Sequence, residues 1–144
     1  MLHVIKNLNE PWINLIKDDP VRPEIPVKQR VNSNSHVYVL HDAQLVPEAV
    51  VCVKYQNTIP RQVSELQDNA RIWTTAVFYT IWSYKPGAGQ ELIRQAKNYI
   101  EQNMPQINTF VTLSPQTEMA RKFHLKNGAH IYRENETSVN YQYI

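Results

Sequence analysis

The chain is poor in the residues that punctuate or staple a fold. Glycine occurs 3 times in 144 residues and cysteine once. A lone cysteine forbids an intrachain disulfide. Cys52 lies in the apolar run AVVCVKY and reads as a buried, inert thiol, since a nucleophilic role needs an activating base beside it. No apolar run approaches the length of a bilayer span, and the stretch MLHVIKNLNEPW lacks a signal-peptide pattern. A cytoplasmic protein with no membrane partner is therefore expected. Charge of either sign is also modest: 15 Lys and Arg face 13 Asp and Glu, a formal net charge of +2. That is too mild to argue for a nucleic-acid partner. The glycine shortage excludes the common phosphate fingerprints: no Gly-Lys-Ser/Thr follows the glycine pair, and GxGxxG is absent.

What is present suits a folded domain. Hydrophobic residues make up 42% and charged residues 19%, and the length is that of one domain spanning residues 1–144. Residues 1–35 form an irregular, proline-rich part. Within it, Pro11 to Ile16 reads as a short helix, and Asp18 to Pro26, with three prolines, as extended chain. No chemistry is assigned to this part. Strands are expected at Val37–Leu40, Ala49–Tyr55 and Ile72–Tyr84. The polar stretch Thr58–Asn69 reads as a loop with a helical turn. Leu92, Ile93, Ala96, Tyr99 and Ile100 then recur at helical spacing up to Pro105. Ile107–Leu113 is another strand. Ser114-Pro115 reads as a helix N-cap and first helical position, with Met119, Ala120 and Phe123 turned inward and Asn127-Gly128 as the C-cap. Ala129–Arg133 and Ser138–Tyr143 close the chain as strands. This order predicts an α/β (α+β) fold: a mixed central sheet flanked by helices.

Two of the three glycines sit in KPGAGQELI, between the long strand and the helix. A strand, a Gly-rich turn and a helix start make a recurring anion site, because the backbone approaches the ligand closely and the free N–H groups of the first helical turn point at it. A plain structural turn accounts for the same glycines. Lys85, Arg94 and Lys97 surround the pair, and Arg121, Lys122 and Lys126 crowd the third glycine. These clusters fit either a solvated basic face or an anionic ligand.

The strand followed by Gly87-Ala88-Gly89 resembles the coenzyme A pyrophosphate loop of the GNAT acyltransferase superfamily. The position that is Gln or Arg in that loop falls on Tyr84 here, with Lys85 beside it. The succession AVFYTI, PG, LI, FVTLSP, FHLKNGA and NYQY, over about Thr75 to Tyr143, resembles the catalytic domain of the malonyl-CoA decarboxylases, a GNAT-fold family. Those decarboxylases carry a large N-terminal helical domain and a long insertion between the serine and histidine motifs; here nine residues separate Ser114 from His124.

The resemblance implies a GNAT-like fold and a coenzyme A thioester, malonyl-CoA or acetyl-CoA, as small-molecule partner, with no metal. It implies Ser114 of LSP and His124 of FHLxNGA as catalytic residues. His124 is the expected proton donor, its ordinary pKa lying near neutrality. Ile81, Lys85, Gly87, Ala88, Gly89 and Gln90 are expected to hold coenzyme A, and Asn127 and Tyr141 to meet the substrate. His124 also stands four residues before Gly128, where many GNAT N-acetyltransferases place a tyrosine that protonates the departing thiolate. The expected reaction is decarboxylation of malonyl-CoA or a related thioester. Acetyl transfer to an amine, with Glu48, Glu65 or Glu91 as general base, and a non-catalytic acyl-CoA sensor are the other readings.

Overall fold

The computed structural model describes residues 1–144. Eight strands form one mixed sheet: β1 (Leu2–Ile5), β2 (Ser35–His41), β3 (Pro47–Gln56), β4 (Thr75–Ser83), β5 (Thr109–Thr112), β6 (Ser114–Pro115), β7 (His130–Glu134) and β8 (Ser138–Tyr143). Two α-helices, α1 (Ala88–Asn103) and α2 (Glu118–Lys126), connect the later strands. The sheet runs β1-β2-β3-β4-β5-β8-β6, with β7 added on β8. β4 and β5 are parallel, joined through α1, and the other pairs are antiparallel. A parallel pair needs such a crossover, and a helix between the two strands supplies it.

Alternation along β2 and β3 divides the core in two. Tyr38, Leu40, Val51 and Val53 face one side and pack with Leu92, Ile93, Ala96 and Ile100 of α1. Val37, Val39, Val50 and Cys52 face the other, where Ile16, Ile25 and Val31 of the N-terminal segment cover them. The proline-rich part is thus a strap over one sheet face. Its first turn is a 3-10 helix, Pro11–Asp18, with proline at the start.

The strap is fixed by a buried ion pair. The Asp19 carboxylate accepts from Arg30 Nη1 at 2.6 Å, and the two side chains are 0% and 1% exposed. It also accepts from the Val21 and Arg22 backbone N–H groups and from Thr80 Oγ1 of β4. Burial alone would raise the Asp19 pKa, but these hydrogen bonds outweigh it and hold the carboxyl below its usual range.

Four expectations need correction. β1 was not anticipated: Leu2 to Ile5 pairs with Val37 to Leu40 along the sheet edge, and a stretch so short carries no strong period. The strand expected over Ile107–Leu113 is shorter, and Ser114-Pro115 is a strand paired to β8, not a helix start. Pairing to Ser138 and Val139 keeps those residues extended, so the helix starts later, with Thr117 as N-cap accepting from the Ala120 N–H. Met119 is not inward but 84% exposed, because its side of α2 faces an open cleft.

Candidate functional site

β4 and β5 run together only as far as Phe78 and Thr112, with the Leu113 N–H donating to the Phe78 carbonyl. Beyond that rung they part. β5 passes into β6, which follows β8, while β4 continues to Ser83 paired only with β3. The parting coincides with a β-bulge. Cys52 faces Thr80 and Val53 faces Phe78, which leaves Tyr79 as the extra residue on β4. A bulge leaves its extra residue outside the regular ladder and re-aims the side chains that follow. Here it turns Ile81 to the α1 side of the sheet.

The gap opens as a cleft of about 430 Å³ between β4 and α2. Phe78, Ile81, Trp82, Leu113 and Phe123 give it apolar walls, and Ser114, Thr117 and His124 give it polar points. No Asp, Glu, Lys or Arg lines it. Pro20 and Val21 of the strap complete one side, so the segment to which sequence assigned no chemistry forms part of the wall.

Ser114 and His124 meet in this cleft, with Ser114 Oγ 3.2 Å from His124 Nε2. Strand β6 fixes the serine. The end of α2 fixes the histidine, since the Ala129 and Gly128 N–H groups donate to the carbonyls of His124 and Leu125. Gly128 takes φ +95° there, the left-handed helix stop that glycine allows.

The two residues belong to a longer chain of hydrogen bonds. Ser114 Oγ donates to Thr112 Oγ1 at 2.7 Å, and Thr112 Oγ1 also accepts from the Tyr141 N–H. His124 Nδ1 lies 2.7 Å from the Tyr143 hydroxyl. A serine hydroxyl has one proton. Spent on Thr112, it leaves Ser114 as acceptor of a proton on Nε2, and Nδ1 as acceptor from Tyr143. Burial drives the His124 pKa down to about 4, so the ring is neutral at pH 7. The buried ring is thus a neutral imidazole carrying a single N–H. Burial likewise raises the Tyr143 hydroxyl well above its ordinary value.

Sequence reasoning did not single out Thr112 or Tyr143. Thr112 carries a faint signal, lying two residues before Ser114 on one strand and so on the same face. Tyr143 carries none, because its bond to His124 spans 19 residues of chain.

A second, polar cleft of about 470 Å³ adjoins the first, the two sharing Ser83 and Phe123. It is lined by Lys85, Gly87, Gly89, Gln90, Lys126 and Asn127, among others. Gly87 is the N-cap of α1, with φ +80° and no side-chain cap bond, so the free N–H groups of the first turn lack a side-chain acceptor. At Gly89 an added Cβ would lie 3.0 Å from Ser83 Oγ and 3.2 Å from the Phe123 ring. The two glycines thus serve different needs, a left-handed turn and a close approach of α1 to α2. Asn127 Oδ1 is buried without a partner. The cleft suits an anionic group with an N–H donor nearby.

The remaining candidates lie elsewhere. Ala88 turns into the core. Tyr141 does not line the apolar cleft; its ring stacks on His124 at 4.9 Å, and it borders a small hollow beyond α2. The three glutamates are engaged: Glu48 with Lys85, Glu91 with Arg94, and Glu65 with the Arg61 N–H. Cys52 is fully buried, and burial pushes its thiol up to about 11. No His, Cys, Asp and Glu cluster suited to a metal occurs, and no helix is long and apolar enough to cross a membrane.

Comparison with known proteins gives this geometry a family. Malonyl-CoA decarboxylase of Cupriavidus metallidurans superposes with a TM-score of 0.76 at 17% identity, over 100% of this chain and 60% of that one. The Agrobacterium vitis enzyme gives 0.70 at 24% identity, over 85% and 35%. The chain therefore spans 35% to 60% of the length of these decarboxylases. PaiA N-acetyltransferase of Thermoplasma acidophilum, solved in complex with coenzyme A, gives 0.63 at 11% identity over 99% and 98%. At these identities the likenesses show the fold, which is that of the GNAT acyltransferases. No curated protein sequence matches the chain. The model of the malonyl-CoA decarboxylase C-terminal domain matches residues 24–138, and with most of its length so matched, the chain belongs to that family.

Proposed function

We propose that the protein binds malonyl-CoA and decarboxylates it to acetyl-CoA and CO2. One observation carries this reading: the Ser114–His124 contact is buried in an apolar cleft that opens directly onto a basic, glycine-lined cleft. The second cleft suits the pyrophosphate of coenzyme A, held by the α1 N-terminus and Lys85, with Asn127 Oδ1 accepting from an amide of the pantetheine arm. The first suits the acyl thioester.

Decarboxylation breaks the bond between the carboxylate carbon and Cα. The electron pair moves toward the thioester carbonyl, giving an enolate, and Cα then takes up a proton. An apolar cleft withdraws water from the carboxylate, whose charge leaves that group as CO2 departs, while fixed hydrogen-bond donors stabilise the enolate oxygen. His124 begins neutral. A carboxylate arriving beside it favours the imidazolium. The network accepts that form, because the hydroxyls of Ser114 and Tyr143 can each accept as well as donate. The proton drawn onto His124 from solvent is then available to Cα, and the ring returns to neutrality as acetyl-CoA forms.

Mass spectrometry after incubation with a panel of acyl-CoAs, without and then with candidate amines, tests the reading. Release of acetyl-CoA from malonyl-CoA without amine is the expected result. Product only when an amine is present would make the protein an N-acetyltransferase, and binding without product would make it an acyl-CoA sensor.

A further inference from the structure

Arg22 belongs to the strap, outside the span of residues 24–138 that matches the family. Its side chain reaches under the cleft to the point where the sheet divides. Nε donates to the Tyr79 carbonyl at 2.9 Å, and Nη2 donates to the Leu113 carbonyl at 2.8 Å. Tyr79 and Leu113 are the residues that follow the last paired rung, Phe78 and Thr112, on the two diverging strands. The guanidinium thus occupies the place of the next rung. One planar fork satisfies a carbonyl on each strand, a geometry an ammonium cannot reproduce. The Tyr79 carbonyl is that of the bulge residue, and the Leu113 carbonyl belongs to the peptide that leads into Ser114. Both residues line the acyl cleft.

The arrangement is held from behind. Asp19 accepts from the Arg22 N–H at 3.0 Å, and the Arg22 carbonyl accepts from Arg30 Nη2 at 2.6 Å. No carboxylate pairs with the Arg22 guanidinium: the Asp19 carboxylate is engaged by Arg30, Thr80 and backbone N–H groups. Two backbone carbonyls therefore hold the guanidinium. Glu24 and Asp19 act on it through their charge without an ion-pair contact, and the adjoining cleft has no charged lining of its own.

We infer that Arg22 is a positioning residue for the acyl group: its two-carbonyl bridge sets the width of the gap between Tyr79 and Leu113, and its guanidinium, in contact with no carboxylate, favours an anionic acyl group there. This rests on the malonyl-CoA reading for the identity of the acyl group. It assigns a recognition role to a strap residue that touches neither the Ser114–His124 pair nor the coenzyme A loop.

The test compares the affinity of the thioether analogue of malonyl-CoA with that of coenzyme A by calorimetry, in wild type, Arg22→Lys and Arg22→Met. Wild type prefers the analogue. Both variants keep coenzyme A affinity within about threefold, while the preference falls about tenfold or more in Arg22→Met and by a smaller factor in Arg22→Lys, which keeps charge without the fork. If Arg22→Met does not fold, Arg22→Lys carries the test. An unchanged preference in a folded variant overturns the assignment. So does a parallel loss of coenzyme A affinity, which marks a role in the fold alone. Acetyl-CoA release by wild type is measured alongside. Its absence, with the preference present and dependent on Arg22, removes the decarboxylase reading and leaves the Arg22 assignment standing.

Discussion

The Tyr143 hydroxyl and His124 Nδ1 lie 2.7 Å apart and together fix which nitrogen of the ring carries its proton. With Tyr143 donating, the proton sits on Nε2 and faces Ser114. Tyr143→Phe removes that donor and frees the other tautomer. Losing one hydrogen bond of about 1–1.5 kcal/mol predicts a roughly tenfold fall in turnover with coenzyme A affinity intact. Nitrogen NMR of the ring checks the premise directly: a resting proton on Nδ1 in wild type would reverse the assigned order.

His124→Asn is expected to remove the acid and leave the coenzyme A site untouched. General acid catalysis supplies roughly a hundredfold to ten-thousandfold, and acetyl-CoA release should fall within that range while calorimetry with coenzyme A changes little. Equal rates in variant and wild type would return His124 to a purely structural place at the end of α2.

The glycine loop needs a test that respects the packing. Gly89→Glu confounds charge with fold, because even a Cβ there meets Ser83 and Phe123. The exposed Lys85 and Lys126 line the same cleft. Lys85→Glu with Lys126→Glu should weaken coenzyme A binding at least tenfold, less so as salt is raised, with the melting temperature nearly unchanged. Gly87→Ala should instead cost stability, about 1–2 kcal/mol for an L residue in a left-handed turn.

Acid should destabilise the fold through its buried histidines. Burial lowers His124 and His36 to about 4 each, with Lys6 adding to the effect at His36. Between about pH 6.5 and 4 the unfolded chain binds more protons than the folded one, so stability falls as the pH falls. Each ring should cost on the order of 3 kcal/mol across that window. Denaturant titrations at stepped pH should show the slope, and His124→Asn should flatten it by about half. A slope identical to wild type would mean that His124 is already protonated in the fold.

Cys52→Ala should cost on the order of 1 kcal/mol through a small cavity and leave turnover unchanged. A folded variant without activity would point to a thiol mechanism, against the fully buried position of Cys52 beside Arg30.

Much of this was legible where the chain speaks locally. The apolar face of α1, the glycine stop after Asn127 and the β-branched runs of β2 and β3 each follow from a period, a cap or a composition read over a few residues. Ser114 and His124 were legible because a family motif names them, and their separation is short enough for one helix to bring them together. What could not be read depends on distant pairing. Ser114 stays extended because Val139 pairs with it, and no residue near Ser114 announces that. Met119 has the spacing of a core residue, but the strand gap beneath α2 exists only once β6 has followed β8. The chemistry of the strap was invisible for the same reason, since Arg22 meets Tyr79 and Leu113 across 57 and 91 residues.

The buried Asp19–Arg30 pair also bears on where this domain can be divided. A chain begun at Glu24, where the family likeness starts, would retain Ser114, His124 and the whole Gly87-Ala88-Gly89 loop. It would lose the carboxylate beneath Arg30, leaving a buried cation unpaired, and the guanidinium that spans the parted strands. A boundary drawn from family likeness alone would thus cut through the floor of the apolar cleft. Shortened or grafted versions of this domain should begin ahead of Pro11, so that the first turn of the strap travels with the site it supports.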